Sequence, residues 1–158
     1  MSFRGVCVGI ASLAIALLAV PVATASPADG VCVGPQSAFD PPAEHTLRSM
    51  TNAFRRDNGR RPLRAQGRLT RNARRYSFTM ARTGYFGHAV GGKRFSWSRR
   101  RPAGETLALA ATPAGVMEVL IGSATHRAIL LDPAFRVFGI GVLRTCTGCL
   151  LVTEYFTG

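Results

Sequence analysis

From Glu44 onward, apolar side chains recur three and four residues apart at Leu47, Met50 and Phe54. That spacing draws one stripe along a helix. Asn58-Gly59 closes it, since glycine takes the left-handed conformation that follows a helix end. Leu69, Ala73, Tyr76 and Met80 repeat the pattern and predict a second helix that stops at Thr83-Gly84. Its other face, between Arg68 and Arg82, is heavily basic. Residues 84–104 are rich in glycine and arginine and read as a long loop with room for one helical turn, and Thr106 to Ala111 reads as a short strand. Pro113 to Ile121 predicts a third helix, with proline in its first turn and Val116, Met117 and Leu120 on its apolar face. Ser123 suits the N-cap of a short helix over His126 to Leu131, ended by Asp132-Pro133.

Beyond that point the period falls to two. Phe138, Ile140 and Val142 alternate with smaller residues, and Leu151, Thr153 and Tyr155 alternate with Leu150, Val152, Glu154 and Phe156. Two such runs joined by Cys146-Thr147-Gly148-Cys149 predict an antiparallel hairpin. Helices first and a hairpin last give an α+β domain, with helices packed on an antiparallel sheet.

The N-terminal stretch follows another logic. Arg4 precedes an apolar run from Val6 to Val20, and small residues follow at Ala23 and Ala25. This predicts a signal peptide over residues 1–25, cleaved after Ala25; the run is short for a membrane anchor, which needs roughly 20 apolar residues. No later segment is long and apolar enough to span. Residues 26–43 carry Pro, Gly, Asp and Ser without a period and read as a tether, leaving 44–158 as one folded domain. The expected location is outside the cell, in the periplasm or at the envelope.

Export bears on the cysteines. Cleavage removes Cys7 and leaves Cys32, Cys146 and Cys149. Cys146 and Cys149 flank a turn and are expected as a local disulfide or as free thiols, rather than as a redox pair, because a strand and not a helix follows them. Cys32 is left to pair with a partner or with one of these two. A zinc ribbon would need a second such pair, and none exists.

Charge narrows the partners. Twenty Lys and Arg against eight Asp and Glu leave a formal net charge of +12, and Lys93 is the only lysine. From Arg55 to Arg101 the only acid is Asp57. Such a surface is either a solvated arginine-biased face or one that attracts an anionic envelope polymer or lipid. Nucleic acid fits an exported protein poorly, and no aromatic-interleaved binding motif supports it.

Three histidines remain for chemistry. His45 lies near the start of the first helix without an evident partner and reads as a surface residue. His88 ends "ARTGYFGH", His126 begins the short helix after Ser123, and Glu105 lies between them in "AGETLA". Two imidazoles and a carboxylate at element edges suit a divalent metal, zinc or the harder magnesium and calcium, or a general acid/base set. The dipole at a helix start disfavours a charged imidazole at His126. Arg127 is a candidate anion holder, with pairing to Asp132 or the backbone as its structural alternative. No Gly-x-Ser-x-Gly elbow supplies a serine nucleophile.

Several stretches together resemble the CAP superfamily, the SCP-like extracellular domains that include cysteine-rich secretory proteins, antigen 5 and class 1 pathogenesis-related proteins. "MTNAFRRDNGRRPLR" resembles the family's opening helix and turn through Asn52, Arg55, Gly59, Pro62 and Leu63. "LTRNARRYSFTMARTGYFGH", "AGETLA", "SATHRAILLDPAFRVFGIGV" and "TEYFTG" resemble its later motifs in the same order. The resemblance runs from about Glu44 to Gly158. It implies an α-β-α sandwich in which His88, Glu105 and His126 line a central cleft that holds a divalent metal in some members. It also implies an extracellular binding role, with a metal-dependent hydrolase using the same cleft as the alternative. The chain departs from the pattern in four places. Thr106 stands where the family has Asn, Leu120 where it often has Trp, the stretch between His88 and Glu105 is short, and the animal members' second cleft glutamate falls near Ser123.

Overall fold

The computed structural model describes residues 37–88 and 103–158. The predicted signal peptide, Cys32, most of the tether and most of the glycine- and arginine-rich stretch lie outside them.

The expected helices form, each with the stop signals read above. The first, α1, spans Pro41–Asp57 and is capped by Asp40, whose carboxylate accepts from Ala43 N at 2.9 Å. Asn58 and the left-handed Gly59 follow it. It opens three residues before Glu44, because Pro41 and Pro42 lack amide hydrogens that a first helical turn would leave unbonded anyway. The second, α2, spans Gly67–Thr83 and ends at Gly84 with φ 68°. Further on, α3 (Pro113–Gly122) is capped by Thr112 and α4 (Ala124–Leu131) by Ser123, whose hydroxyl accepts from His126 N at 3.4 Å.

The C-terminal hairpin pairs β4 (Val137–Arg144) with β5 (Leu150–Thr157), and its turn is closed by Thr145 N donating to Cys149 O at 2.8 Å. Strand β3 (Ala103–Ala110) lies antiparallel on the other side of β5. It begins three residues earlier than its apolar pattern shows, so Gly104 and Glu105 belong to the sheet rather than to the loop. Two short strands, β1 (Ala38–Phe39) and β2 (Arg64–Ala65), add to β4. The order is β1-β4-β5-β3, with β2 also pairing β4. Residues 37–43 are therefore part of the domain and not of a tether.

The sheet is covered on both faces, as an α-β-α sandwich requires. One face of side chains, including Phe138, Ile140, Val142, Leu150, Val152 and Phe156, packs with α1, α3 and α4. The other, including Leu107, Leu143, Leu151 and Tyr155, packs under α2. The glycines of β4 permit that second layer. A Cβ on Gly139 would come 2.3 Å from Thr70 N, and one on Gly141 would come 2.1 Å from Arg74 N, so the helix backbone rests directly on the strand. Leu120, where relatives often carry tryptophan, is fully buried in the first layer.

Ion pairs tie the layers at one corner. Buried Glu44 takes Arg74 in a two-pronged contact, 2.7 Å at each oxygen, and also accepts from Val142 N at 3.3 Å. Helices α1 and α2 and strand β4 thus meet on one carboxylate.

Candidate functional site

His88 comes just after α2. Its segment is fastened from below, where Tyr76 on the buried face of α2 donates its hydroxyl to Gly87 O at 2.5 Å. Glu105 projects from β3 opposite Tyr155 of β5. His126 sits in the first turn of α4, and the other end of α4 is held by Arg55. That guanidinium is 1% exposed and donates to Arg61 O at 2.8 Å, Leu130 O at 2.5 Å and Asp132 O at 3.2 and 3.3 Å. Carbonyls at a helix C-terminus carry partial negative charge, so the hydrogen bonds of this buried cation are all made to backbone oxygens, with the charge of Asp132 acting in the same sense. Asn52, one turn before Arg55, exchanges two hydrogen bonds with the backbone of Leu63, at 2.8 and 3.0 Å.

These supports bring the three predicted side chains together. His88 Nδ1 lies 2.6 Å from Glu105 Oε1, and the rings of His88 and His126 are 6.1 Å apart between centroids, inclined at 53°. The carboxylate accepts, so Nδ1 of His88 carries a proton, and in the neutral ring Nε2 is left as an acceptor. His88 is the exposed member, with 59% of its side chain accessible against 18% for Glu105. His126 is more enclosed, and its Nδ1 is buried without a hydrogen-bond partner among the described residues. Burial, and secondarily the charge His88 can carry, depress the pKa of His126. The sequence led to a neutral His126 through the helix dipole; the direction stands, but burial is the main cause.

The cluster suits hydrogen bonding to a polar group better than holding a metal. Catalytic zinc sites use three protein ligands and an open position. Here Glu105 is committed to orienting His88, and among the described residues no group of three or more His, Cys, Asp or Glu is arranged to hold a metal ion. Ser123, near the place of the family's fourth group, serves as the cap of α4.

The remaining candidates lie elsewhere. Arg127 is exposed and makes no ion pair among the described residues. Asp132, its expected alternative partner, instead accepts from Ala134 N at 2.7 Å. His45 is exposed on α1 and lines a separate cavity of about 290 Å³ with Arg48, Asn52 and Arg56. Neither Cys146 nor Cys149 is a free thiol.

Three features were missed in the sequence. Tyr76 reads only as core, and its hydroxyl role has no local signal. Arg55 enters through the resemblance alone, although an arginine on the apolar side of a helix hints at a buried anchor. Glu154 is fully buried in β5, accepts from Thr106 Oγ1 at 2.7 Å, and is pushed up to about 7 by loss of solvent. Thr106, which replaces the family's Asn, spends its hydroxyl there.

Comparison with solved structures supports the same fold. An outer surface protein of Borrelia burgdorferi superposes with a TM-score of 0.68 at 16% identity, covering 77% of this chain and 97% of that one. An extracellular SCP-domain protein of Bacillus anthracis gives 0.63 at 21%, covering 73% of this chain and 40% of the other. A cysteine-rich secretory protein of Staphylococcus aureus gives 0.55 at 19%, covering 75% and 39%. The chain thus spans about two fifths of the length of the last two. Comparison with curated proteins finds no match. The model of the CAP family, the cysteine-rich secretory proteins, matches residues 48–157, and the chain belongs to that family.

Proposed function

We propose that the protein is an exported binding domain in which His88, Glu105 and His126 form the recognition point for a polar extracellular ligand, such as a lipid head group. The observation that carries this reading is the exposed His88 ring, oriented through its Nδ1 by Glu105 at 2.6 Å, with the His126 ring 6.1 Å away. A solvent-facing imidazole held in one orientation by a carboxylate on the edge strand β3 is suited to a ligand's hydroxyl or phosphate oxygen. Export is supported by the leader pattern over residues 1–25. It is also supported by the kinship with extracellular and outer-surface proteins. No single helix among the described residues is long and apolar enough to cross a membrane. The hydrolase alternative needs a third metal donor that the cluster does not supply.

The test is an NMR titration of the histidine ring resonances with monomeric short-chain phosphatidylglycerol, and separately with zinc. The reading expects the His88 and His126 resonances to move with the lipid and the response to vanish in His126→Ala and Glu105→Gln. Stationary rings would count against it. One-to-one tight zinc binding removed by either variant would move the site to the metal reading. We also propose that Cys146 and Cys149 are bonded to each other, which non-reducing peptide mapping would show as one linked turn peptide; a peptide linked to Cys32 would refute it.

A further inference from the structure

On α2, Arg71, Arg75, Phe78 and Arg82 are spaced four, three and four residues apart and share one outward face. All four are exposed, and Phe78 leaves 43% of its surface in solvent. Beside them, Phe39 of β1 leaves 41% exposed. The two rings and Arg71, Arg74 and Arg75 line a groove of about 440 Å³. Phe39 is not loose, because the Arg74 guanidinium lies 5.6 Å over its ring and is itself locked on buried Glu44. The neighbouring acid, Asp40, is engaged by Arg144 at 2.6 Å. Among the described residues no carboxylate pairs with Arg71, Arg75 or Arg82. The sequence has no acid at all between Asp57 and Glu105.

We propose that this face docks the protein on an anionic phospholipid bilayer, with Arg71, Arg75 and Arg82 at the phosphates and Phe39 and Phe78 between the head groups. Charge complementarity selects an anionic partner, and the aromatic rings select the bilayer. A hydrated polyanion offers the rings nothing, whereas the head-group boundary accepts amphipathic aromatic surface flanked by arginine. Arg74 is neutralised by Glu44 and serves to hold Phe39 in place. The proposal takes the exported location from the proposed function and is independent of the histidine cluster.

The test is co-sedimentation of the full secreted chain with phosphatidylcholine vesicles, with and without phosphatidylglycerol. Binding is expected to need phosphatidylglycerol and to weaken as ionic strength rises. Arg71→Gln/Arg75→Gln is expected to lower the partition coefficient about 25-fold, and Phe78→Ser about tenfold. Arg56→Gln/Arg60→Gln, which removes the same charge from another surface, is expected to change it far less. Thermal melts of each variant confirm folding, since every altered side chain is exposed. An equal loss in both arginine pairs would reduce the effect to net charge and overturn the proposal. So would a Phe78→Ser variant that binds vesicles as the parent does, an outcome that points to a soluble anionic polymer, with polyphosphate as the probe. The movement of the His88 and His126 ring resonances with monomeric short-chain phosphatidylglycerol is expected to persist in Arg71→Gln/Arg75→Gln, whose side chains line a separate groove, so failure of the histidine site and failure of this face are read separately.

Discussion

Glu154 is the residue whose cost to the fold changes most with pH. Its ordinary value is 4.5, and burial raises it to about 7. A raised carboxyl stabilises the fold while it stays protonated. The contribution is full below the unfolded value, declines as pH climbs from about 4.5 to 7, and is gone above that. For a fully buried group a shift of this size corresponds to about 3 kcal/mol. His126 works in the opposite sense. Its folded pKa is lowered, so its contribution is present above the unfolded value near 6.5 and is lost as pH falls. Comparing variant with parent separates the two. Denaturant unfolding at pH 5 and pH 8 should show the parent losing about 2.5 kcal/mol relative to Glu154→Gln across that interval. Parallel pH profiles for the two proteins would show that the carboxyl is not held neutral.

At the level of elements, position depends on a few contacts that cross between them. Arg55 ties α1 to the carbonyls ending α4, and so sets where the start of α4 presents His126. Arg55→Met should leave three carbonyls unpaired and cost about 3 kcal/mol in denaturant unfolding. It should also shift the His126 ring resonance, whereas an exposed control such as Arg56→Met should do neither. Gly141 makes the complementary case, because α2 rests on its bare Cα. Gly141→Ala should lift the helix, cost roughly 2–3 kcal/mol, and displace His88 at the end of α2. An unperturbed His88 resonance in a fully stable Gly141→Ala protein would contradict that packing. These dependencies explain what was legible in the chain. The helices and the hairpin were readable because each carries its own period and stop signal. The pairs Ala38–Phe39 and Arg64–Ala65 were not, since two residues have no period and their pairing is set by β4. Ala103-Gly104-Glu105 looked like loop because none of the three favours a strand, and β5 imposes it. His88, Glu105 and His126 were identifiable as residue types, but their meeting is a property of the packed layers, which spacings in sequence do not encode.

Across the whole molecule, repulsion among like charges sets the response to salt. Of eight acids against twenty Lys and Arg, Glu44 and Asp40 are each engaged by arginine. Glu105 is turned to His88, and Glu154 is only about half ionised near pH 7. Few carboxylates are left to offset the arginines on α2 and around its ends. Adding salt weakens the favourable pairs and the repulsion together, and the balance decides the sign. The exposed Arg144–Asp40 pair is worth at most about 1 kcal/mol, and the Arg74–Glu44 pair, half sheltered by the groove, loses little to screening. Repulsion is spread over many more charges, among them Arg71 and Arg75 one turn apart on α2, where neighbours lie within the Debye length of roughly 8 Å at physiological ionic strength, and is the larger quantity. The melting temperature should therefore rise with sodium chloride, and rise further with phosphate at equal ionic strength, because a multivalent anion bridges neighbouring guanidiniums. Arg71→Gln/Arg75→Gln should raise the low-salt melting temperature and flatten its salt dependence. A melting temperature that falls as chloride is added would mean that the ion pairs, not the unpaired arginines, dominate. The α2 face would then hold too little excess charge to draw the protein to an anionic surface.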